Sequence, residues 1–323
     1  MPNAGSSFLY KMLRKKNITL NDAKATGNES VKTGDIVKVF FSDETFAKMQ
    51  GEVLETAPAS HPIKAAQLVY EDEDLLAVYK PSGVLSQKDA SGTESLNEQV
   101  LAFLSERGDV TPESLRTFRP GVCNRLDRNT AGVVWFGKTL RGAQGMAMAL
   151  RERILGKYYF AFVEGHFPKA VRTKFYLCKD TTENRVTISD TPQGDCDEVR
   201  TDIWPVVNNS RITLVRIRLH SGKSHQIRSV LKHLGFPVLG DPKYGSADSE
   251  TVRYCRSRYH LHAQQLFAYA YTFPEKVPAG LSGVAGRTIR GPVPDTFAEI
   301  LAGEFPPAER KEGEYGYLEI PRP

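Results

Sequence analysis

One acidic residue, Asp127, lies close to Arg125 and Arg128 in the segment NRLDRNTAG, residues 124–132. A carboxylate near cations suits two roles. It can form a surface ion pair, which is the commoner outcome and contributes about 0–1 kcal/mol to stability. It can also be the catalytic carboxylate of a site whose cations attract a polyanion. The spacing by itself leaves both interpretations open.

The segments that follow Asp127 predict the elements that must position it. VVWF (133–136) is typical of a buried strand, and KYYFAFVEG (157–165) is rich in the aromatic and β-branched residues that favour strands. RITLVRIRLH (211–220) alternates apolar and charged residues, and SHQIRSVLKHLG (224–235) has apolar residues at helical spacing. The predicted strands outnumber the predicted helices, and the two do not alternate regularly as in βαβ units. The sequence therefore predicts an α+β fold with a mixed, largely antiparallel sheet flanked by helices.

The N-terminal segment differs in character from the rest. FLYKMLRKKN (8–17) places apolar residues at helical spacing beside cations, which predicts a basic amphipathic helix. These cations are Lys11, Arg14, Lys15 and Lys16. A turn and a short apolar strand follow. Further on, ETAPASHP shows no periodic spacing of apolar residues that would face a core, so it suits a linker. We expect an N-terminal module over residues 1–55, a linker over 56–65 and a larger domain over 66–323.

Composition and charge limit the class of protein. The chain has 323 residues, and 43 Lys and Arg against 38 Asp and Glu give a net charge of +5, which is compatible with nucleic acid without requiring it. There is no secretory leader and no apolar run of about 20 residues, which predicts a cytoplasmic protein without a membrane partner. The four cysteines are far apart and form no CxxC pair, so we expect reduced thiols.

Five segments resemble, in this order, the successive motifs of the RluA-type pseudouridine synthases. They are VYEDEDLLAVYKPSGVLSQ, NRLDRNTAG, KYYFAFVEG, LHSGKSHQIRSVLKHLGFPVLGDPKYG and LHAQQLFAY. One match of this kind would be weak, whereas five in order are specific. The likeness is to the S4-bearing branch that acts on large-subunit ribosomal RNA. It implies that the substrate and partner is RNA, with transfer RNA as the second choice, and that uridine is isomerised to pseudouridine.

The resemblance implies a role for four residues of the site. Asp127 matches the essential carboxylate, acting either as a nucleophile at C1′ of the ribose or as a base at C2′. Arg228 matches the basic partner that keeps this carboxylate ionised. Arg125 matches the residue that fills the gap left by the flipped base. Tyr159 matches the tyrosine that stacks on the base and is a candidate for assisting proton removal from C5, while Tyr158 should point to the opposite face.

A second resemblance concerns the N-terminal module. YKMLRKKNITLN followed by TGDIVKV resembles an S4-type RNA-binding domain, a small α/β module whose basic helix lies against phosphates. S4 domains ordinarily begin with an earlier helix, so the module is expected to be truncated at its start. Further expected phosphate contacts are Lys80, Lys223, Arg216 and Arg218. Two positions depart from the family pattern, Asn124 where histidine is usual and Ala131 where serine is usual.

Two other hypotheses compete with a pseudouridine synthase. A metal hydrolase could use the clustered histidines with Cys255 and Asp241, although a zinc site needs three or four converging ligands. These histidines are His220, His225, His233, His260 and His262. Isomerisation exchanges no atoms or electrons with another molecule, and the sequence lacks GxxxxGK[ST] and HExxH, so we expect neither cofactor nor metal. The other hypothesis is a noncatalytic RNA-binding or ribosome-assembly factor. We also expect a monomer.

Overall fold

The computed structural model describes residues 4–50, 61–180, 185–246 and 248–305. The chain divides into two compact units. The first comprises Met1–Pro58 with Leu104–Arg119, and the second comprises Ala59–Phe103 with Pro120–Pro323. Residues 51–60, which include half of the expected linker, lie outside the described residues.

The first unit begins with the predicted amphipathic helix, which is confirmed as α1 (Ser6–Arg14). Met12 on its inner face is buried, whereas Lys11, Arg14, Lys15 and Lys16 are exposed. The strands β1 (Ile18–Leu20), β2 (Ala23–Lys24) and β3 (Val37–Val39) form an antiparallel sheet in the order β2-β1-β3. Helix α2 (Asp43–Gln50) follows.

The remaining elements follow in chain order. They are β4 (Leu68–Glu71), β5 (Leu75–Lys80), α3 (Leu96–Glu106), α4 (Pro112–Thr117), β6 (Gly121–Val122), β7 (Ala131–Gly137), α5 (Leu140–Arg151), β8 (Gly156–Glu164), β9 (Val171–Asp180), β10 (Arg185–Ser189), β11 (Asp197–Asn208), β12 (Ile212–Leu219), α6 (Gln226–His233), α7 (Glu250–Tyr259), β13 (Leu266–Thr272), β14 (Thr288–Arg290) and α8 (Asp295–Glu304). Single 3-10 turns lie at Ala65–Gln67 and Ser282–Val284. Of these, α4 and the last three residues of α3, from Leu104, belong to the first unit.

One large sheet organises the second unit. Its order is β10-β9-β11-β12-β8-β13-β7-β5-β4, with β14 added to β13 and β6 added to β7. Among the described residues every pairing in it is antiparallel except that of β13 with β7. The predicted α+β class with a mixed, largely antiparallel sheet is therefore confirmed.

Apolar side chains cover both faces of this sheet. On one face Trp135, Tyr271 and Phe273 pack with residues of α5, and on the other Phe162 and Phe297 form part of a second cluster. The central strand β8 is buried along most of its length because it is covered on both sides. Tyr158 belongs to the second cluster, so it points away from the face that carries Tyr159, as alternation along a strand requires.

The prediction of reduced thiols was wrong for two of the four cysteines. Cys178 in β9 and Cys196, which directly precedes β11, form a disulfide. In the antiparallel pairing Asp197 lies opposite Leu177, so the two cysteines are cross-strand neighbours with a Cα–Cα distance of 4.4 Å. Their separation of 18 residues hid this closeness in the sequence. Cys123 and Cys255 are free thiols.

Candidate active site

Asp127 lies in the loop between β6 and β7, at a cleft of about 800 Å³. The loop is held from two sides. The Ser86 hydroxyl exchanges hydrogen bonds with the backbone N–H and carbonyl of Leu126, at 2.9 and 3.0 Å, and the Thr130 N–H donates to the Asp127 carbonyl at 3.0 Å. Gly132, the second residue of β7, has φ +126°, and a Cβ there would stand 2.3 Å from the Ala268 carbonyl oxygen. The tight packing of Gly132 fixes where the loop enters β7.

The Asp127 carboxylate is paired with Arg228. Arg228 Nη1 donates to Asp127 Oδ2 at 2.8 Å, and the Asp127 side chain is 25% exposed whereas that of Arg228 is 7% exposed. The two residues are 101 positions apart in the chain, and they are the pair that the resemblance predicted. A partly exposed carboxylate beside a buried cation is accessible to a ligand in the cleft while its charge is stabilised.

Asp241 holds the other side of the Arg228 guanidinium. Arg228 Nε and Nη2 donate to the two oxygens of Asp241 at 2.6 and 2.8 Å, a bidentate arrangement that fixes the plane of the guanidinium. Burial opposes charge on both residues, but their mutual hydrogen bonds and charges raise the pKa of Arg228 and lower that of Asp241. The N–H groups of Lys243 and Tyr244 also donate to Asp241 Oδ1. Asp241 is therefore the residue that orients Arg228 toward Asp127.

Helix α6 carries Arg228, and its first turn is anchored by Gln226. The Gln226 amide accepts from the Ser221 hydroxyl at 2.9 Å and donates to the Thr201 hydroxyl at 3.0 Å. His225, at the N-cap, has left-handed backbone geometry with φ +57°. These contacts fix the start of the helix, and hence the direction in which Arg228 leaves it.

His225 also faces the cleft. Its Nε2 lies 3.9 Å from Asp127 Oδ2, and its Nδ1 is 2.9 Å from the Tyr244 hydroxyl. Burial lowers the pKa of His225, and the charge of Asp127 acts in the opposite direction. The lowered pKa favours the neutral imidazole, and the contact with Tyr244 holds the ring beside Asp127.

Tyr159 forms another wall of the cleft. Its side chain is buried, and burial raises its pKa to about 12, so the phenol is neutral at physiological pH. Tyr271 also lines the cleft, and its hydroxyl accepts a hydrogen bond from Asn124 Nδ2 at 3.0 Å. Asn124, at a position where the family usually carries histidine, is thus part of the wall and bonded to Tyr271.

Two of the predicted cations also line the cleft. Arg125 is exposed at its edge, next to the Asp127 loop, and Lys223 lies on the segment before α6, where it pairs with Asp197 at 2.7 Å. Lys157 was not predicted. It is buried, donates to the Ser221 carbonyl at 3.0 Å, and burial together with the charge of Arg153 lowers its pKa to about 8. The structure therefore brings Asp127, Arg228, Tyr159, Arg125 and Lys223 to one cleft.

The placement of Lys80 contradicts its predicted contact with phosphate. Its side chain is fully buried, and Nζ donates to the carbonyl oxygens of Pro81, Val84 and Arg128 at 3.0, 2.6 and 2.9 Å. Burial lowers its pKa to about 7. The ammonium joins the turn after β5 to the Asp127 loop, so Lys80 has a structural role. A charged residue type suggested exposure, but backbone acceptors satisfy it in the interior.

The strand arginines lie outside the cleft, and their phosphate contacts stay a prediction. Arg216 packs over the Trp204 ring at 5.0 Å, and Arg218 lies over the Tyr158 ring at 5.9 Å. Tyr158 belongs to the face of β8 opposite Tyr159, and neither arginine lines the cleft. The cations of α1 belong to the first unit.

The metal hypothesis gains no support from the histidines. His220 pairs with Asp202 at 2.8 Å, His233 with Asp190 at 3.3 Å and His225 with Tyr244, so they have separate partners. Within the described ranges no group of three or more His, Cys, Asp and Glu side chains could hold a metal ion. The same ranges contain no helix long and apolar enough to cross a membrane.

Sequence reasoning missed the roles of Asp241, Tyr244 and Tyr271. The sequence suggested Asp241 only as a metal ligand, although GDPKYG (240–245) follows α6 after six residues and the fold places its carboxylate within reach of Arg228. Tyr271 lies beyond the last segment that carries the resemblance. A pairing of β13 with β8 would have been needed to place it beside Tyr159.

Comparison with known proteins places the chain in a family. The family model described as RNA pseudouridylate synthase matches residues 74–233. A protein of Mycoplasma pneumoniae, named as an uncharacterized RNA pseudouridine synthase, is 30% identical over 311 residues, which cover 94% of this chain and 92% of the relative. The ribosomal large subunit pseudouridine synthase C of Vibrio cholerae is 27% identical over 281 residues, which cover 82% of this chain and 81% of the relative.

Solved structures support the fold. Human RNA pseudouridylate synthase domain containing 4 superimposes with a TM-score of 0.57 at 18% identity, covering 72% of this chain and 91% of that one. Human RNA pseudouridylate synthase domain containing 1 gives a TM-score of 0.53 at 20% identity, covering 77% of this chain and 89% of that one. With the family match and the relative that spans nearly the whole chain, these likenesses lead to one conclusion. The chain belongs to the RNA pseudouridine synthase family.

Proposed function

We propose that this chain converts uridine to pseudouridine in large-subunit ribosomal RNA, with Asp127 as the reacting carboxylate. The observation that carries the proposal is the ion pair of Asp127 with Arg228 at an open cleft, 2.8 Å apart and with Asp127 partly exposed. The cleft volume of about 800 Å³ is within the range of small-molecule sites and suffices for one nucleotide.

The proposed reaction is an isomerisation that balances within the nucleotide. The N1–C1′ bond breaks, the detached uracil turns, and a C5–C1′ bond forms. The proton lost from C5 is matched by one gained at N1. Asp127 serves either as a nucleophile that forms an ester at C1′ or as a base that removes the C2′ proton, and both roles need the ionised carboxylate that Arg228 stabilises.

The substrate base must leave its stack to reach Asp127. We propose that Arg125, exposed at the edge of the cleft beside Asp127, occupies the space that the flipped base leaves. Tyr159 provides a flat surface for the uracil ring inside the cleft. Lys223, also at the cleft, is proposed to contact phosphate when RNA displaces its pairing with Asp197.

The first unit is proposed to add affinity that does not depend on RNA sequence. Lys11, Arg14, Lys15 and Lys16 are exposed at and just after α1, as expected if an S4-like module lies over residues 1–55. A linker over 56–65 and a catalytic domain over 66–323 complete the proposed organisation. Phosphate contacts of this kind release counterions, so their contribution weakens as salt concentration rises.

The proposed target rests on the relatives. Several are named as ribosomal large subunit pseudouridine synthase C, among them those of Vibrio cholerae and Rickettsia conorii, which are 27% and 29% identical to this chain. The proposal that the protein acts as a cytoplasmic monomer is separate and does not rest on these names. Transfer RNA is the alternative substrate that the experiment below must separate.

The test is a map of pseudouridine in ribosomal and transfer RNA from cells with and without the gene. We expect at least one large-subunit site to be lost on deletion, to return with the wild-type gene and to stay absent with Asp127→Asn. Loss of sites only in transfer RNA would overturn the proposed target. Retention of every site would overturn the proposed function.

A further inference from the structure

Tyr244 determines which nitrogen of the His225 ring carries the proton. The Tyr244 hydroxyl is 2.9 Å from His225 Nδ1, and its oxygen also accepts the Val186 N–H at 3.1 Å. A phenol has one proton to donate, and Tyr244 is 8% exposed, so a proton left without an acceptor would destabilise the fold. Among the described residues, His225 Nδ1 is the acceptor within reach of this proton. Nδ1 therefore accepts, and Nε2 carries the proton of the neutral imidazole.

The Asp127 carboxylate favours the same tautomer of His225. Nε2 lies 3.9 Å from Asp127 Oδ2, so a lone pair on Nε2 would face a negative charge, whereas an N–H presents its positive end. Burial lowers the pKa of His225, which keeps the ring neutral and makes the position of its one proton decisive. Two separate contacts thus place an N–H beside Asp127, in the cleft that both side chains line.

The gap between Nε2 and Oδ2 is suited to a hydroxyl group. A distance of 3.9 Å is too long for a hydrogen bond between the two atoms, but one oxygen can lie within about 3 Å of both. Such an oxygen would accept from Nε2–H and carry a proton to donate to Oδ2. An N–H group could not accept there, and a carbonyl or phosphate oxygen could not donate, so the pair selects a hydroxyl.

The two oxygens of Asp127 have different surroundings. Oδ2 accepts from Arg228 Nη1 at 2.8 Å, and no other hydrogen bond to either oxygen comes from the part of the chain that the structure describes. Oδ1 is therefore available to a reacting carbon. The side chains of His225 and Asp127 are 17% and 25% exposed, so a ligand in the cleft can reach both of them.

We propose that His225 Nε2–H and Asp127 Oδ2 together hold the 2′-hydroxyl of the target uridine, and that His225 makes the site specific for ribose. This inference rests on the proposed function. In either role of Asp127 the carboxylate meets C1′ or C2′, and the 2′-hydroxyl is attached to C2′, next to C1′. Holding that hydroxyl at Oδ2 brings the sugar carbons to Oδ1. Deoxyribose lacks the group that both residues recognise.

The experiment compares two targets that differ by one atom. Large-subunit ribosomal RNA is assembled by splinted ligation with either uridine or 2′-deoxyuridine at the site found by the mapping described above. Enzyme in excess over RNA gives a single-turnover rate constant for each target. Wild type should convert the deoxyuridine target about 10- to 100-fold more slowly, because two hydrogen bonds to the sugar are lost.

His225→Asn is the variant that separates the proposed role from a structural one. Asparagine tolerates the left-handed backbone at this position, φ +57°, and its amide can still contact the Tyr244 hydroxyl, but it is too short to reach the place of Nε2. The rate constant should fall about three- to tenfold on the uridine target and change by less than about twofold on the deoxyuridine target. His225→Gln has a longer amide and should restore part of the loss.

His166→Asn is the matched control. His166 is exposed, pairs with Asn208 at 2.9 Å and lies outside the cleft, so both rate constants should equal those of wild type. Thermal unfolding of each variant shows whether the fold is kept. If His225→Asn loses its fold, His225→Leu, which has no donor, is judged on the same two targets.

The inference is overturned if His225→Asn slows both targets by the same factor, which is the mark of a structural role, or if it keeps the wild-type rate on uridine. Equal rates of wild type on the two targets would also overturn it. So would a complete failure of wild type on deoxyuridine, since two hydrogen bonds do not account for that. A wild-type enzyme that makes no pseudouridine from the uridine target would instead overturn the proposed function.

Discussion

Replacing Arg228 with methionine should destabilise the fold more than any change at an exposed arginine. Arg228 is 7% exposed and Asp241 is fully buried, so the variant leaves Asp241 as an unpaired carboxylate in the interior. Removing one partner of a buried ion pair costs about 3–5 kcal/mol of the free energy of unfolding. Asp127 is a quarter exposed and can be hydrated, so it adds less to this loss.

The assay is urea denaturation followed by circular dichroism, with Arg253→Met as control. Arg253 is an exposed arginine on helix α7, and its replacement should change stability by no more than about 0.5 kcal/mol. Asp241→Asn combined with Arg228→Met should be more stable than Arg228→Met alone. The double variant removes the buried charge while its amide oxygen can still accept the N–H groups of Lys243 and Tyr244.

The loss of free energy of unfolding in Arg228→Met should also depend on pH. In wild type the pKa of Asp241 is lowered, so its contribution to stability is present above the unfolded value of about 3.9 and is lost as pH falls through the folded value. In Arg228→Met burial remains without the cation, so the folded pKa of Asp241 should lie above 3.9 and the variant should regain stability as pH falls. The gap between wild type and variant should therefore narrow in acid. Two results would refute the role assigned to Asp241 and Arg228. One is a loss of free energy of unfolding below about 1 kcal/mol in Arg228→Met, and the other is a difference in stability between wild type and variant that does not change with pH.

Three further predictions follow from other parts of the chain. Lys80→Met should lower the free energy of unfolding by about 2–4 kcal/mol, because three carbonyl oxygens lose their donor, yet leave the salt dependence of RNA binding unchanged in filter-binding titrations. Lys11→Ala and Lys15→Ala should each reduce the slope of log affinity against log salt by about 0.7–0.9, with an unchanged single-turnover rate; unchanged slopes would contradict an RNA contact by α1. A reducing agent should lower the melting temperature of wild type but not of Cys178→Ser/Cys196→Ser, since the disulfide contributes up to about 3 kcal/mol.

Short segments with a strong resemblance located most of the site in advance. Asp127, Arg228 and Tyr159 were all predicted, and the structure places them around one cleft. The resemblance selected these three residues because each lies within a matched segment, and their roles in the reaction stay predictions. How these three residues come together depends on the order of the strands in the sheet. Strands β12 and β13 both pair with β8, and sequence patterns alone did not predict that order.

The wrong predictions for Lys80 and two cysteines, and the missed role of Asp241, have physical causes that sequence patterns do not show. Lysine is a residue type usually found exposed, but Lys80 lies in the interior because backbone carbonyls accept hydrogen bonds from its Nζ. Cys178 and Cys196 are far apart in sequence but adjacent across an antiparallel pair. Asp241 acts through Arg228, so no direct feature of the proposed reaction required it.

The most direct test of the central claim is the product yield of purified Asp127→Asn on large-subunit ribosomal RNA from cells lacking the gene. The amide keeps the size of the side chain and can still accept from Arg228, but it is neither a nucleophile nor a base. We predict RNA binding within about threefold of wild type and no pseudouridine above background after hours with excess enzyme. Pseudouridine formed by the variant at a rate within about tenfold of wild type would contradict the claim that the Asp127 carboxylate carries out the reaction.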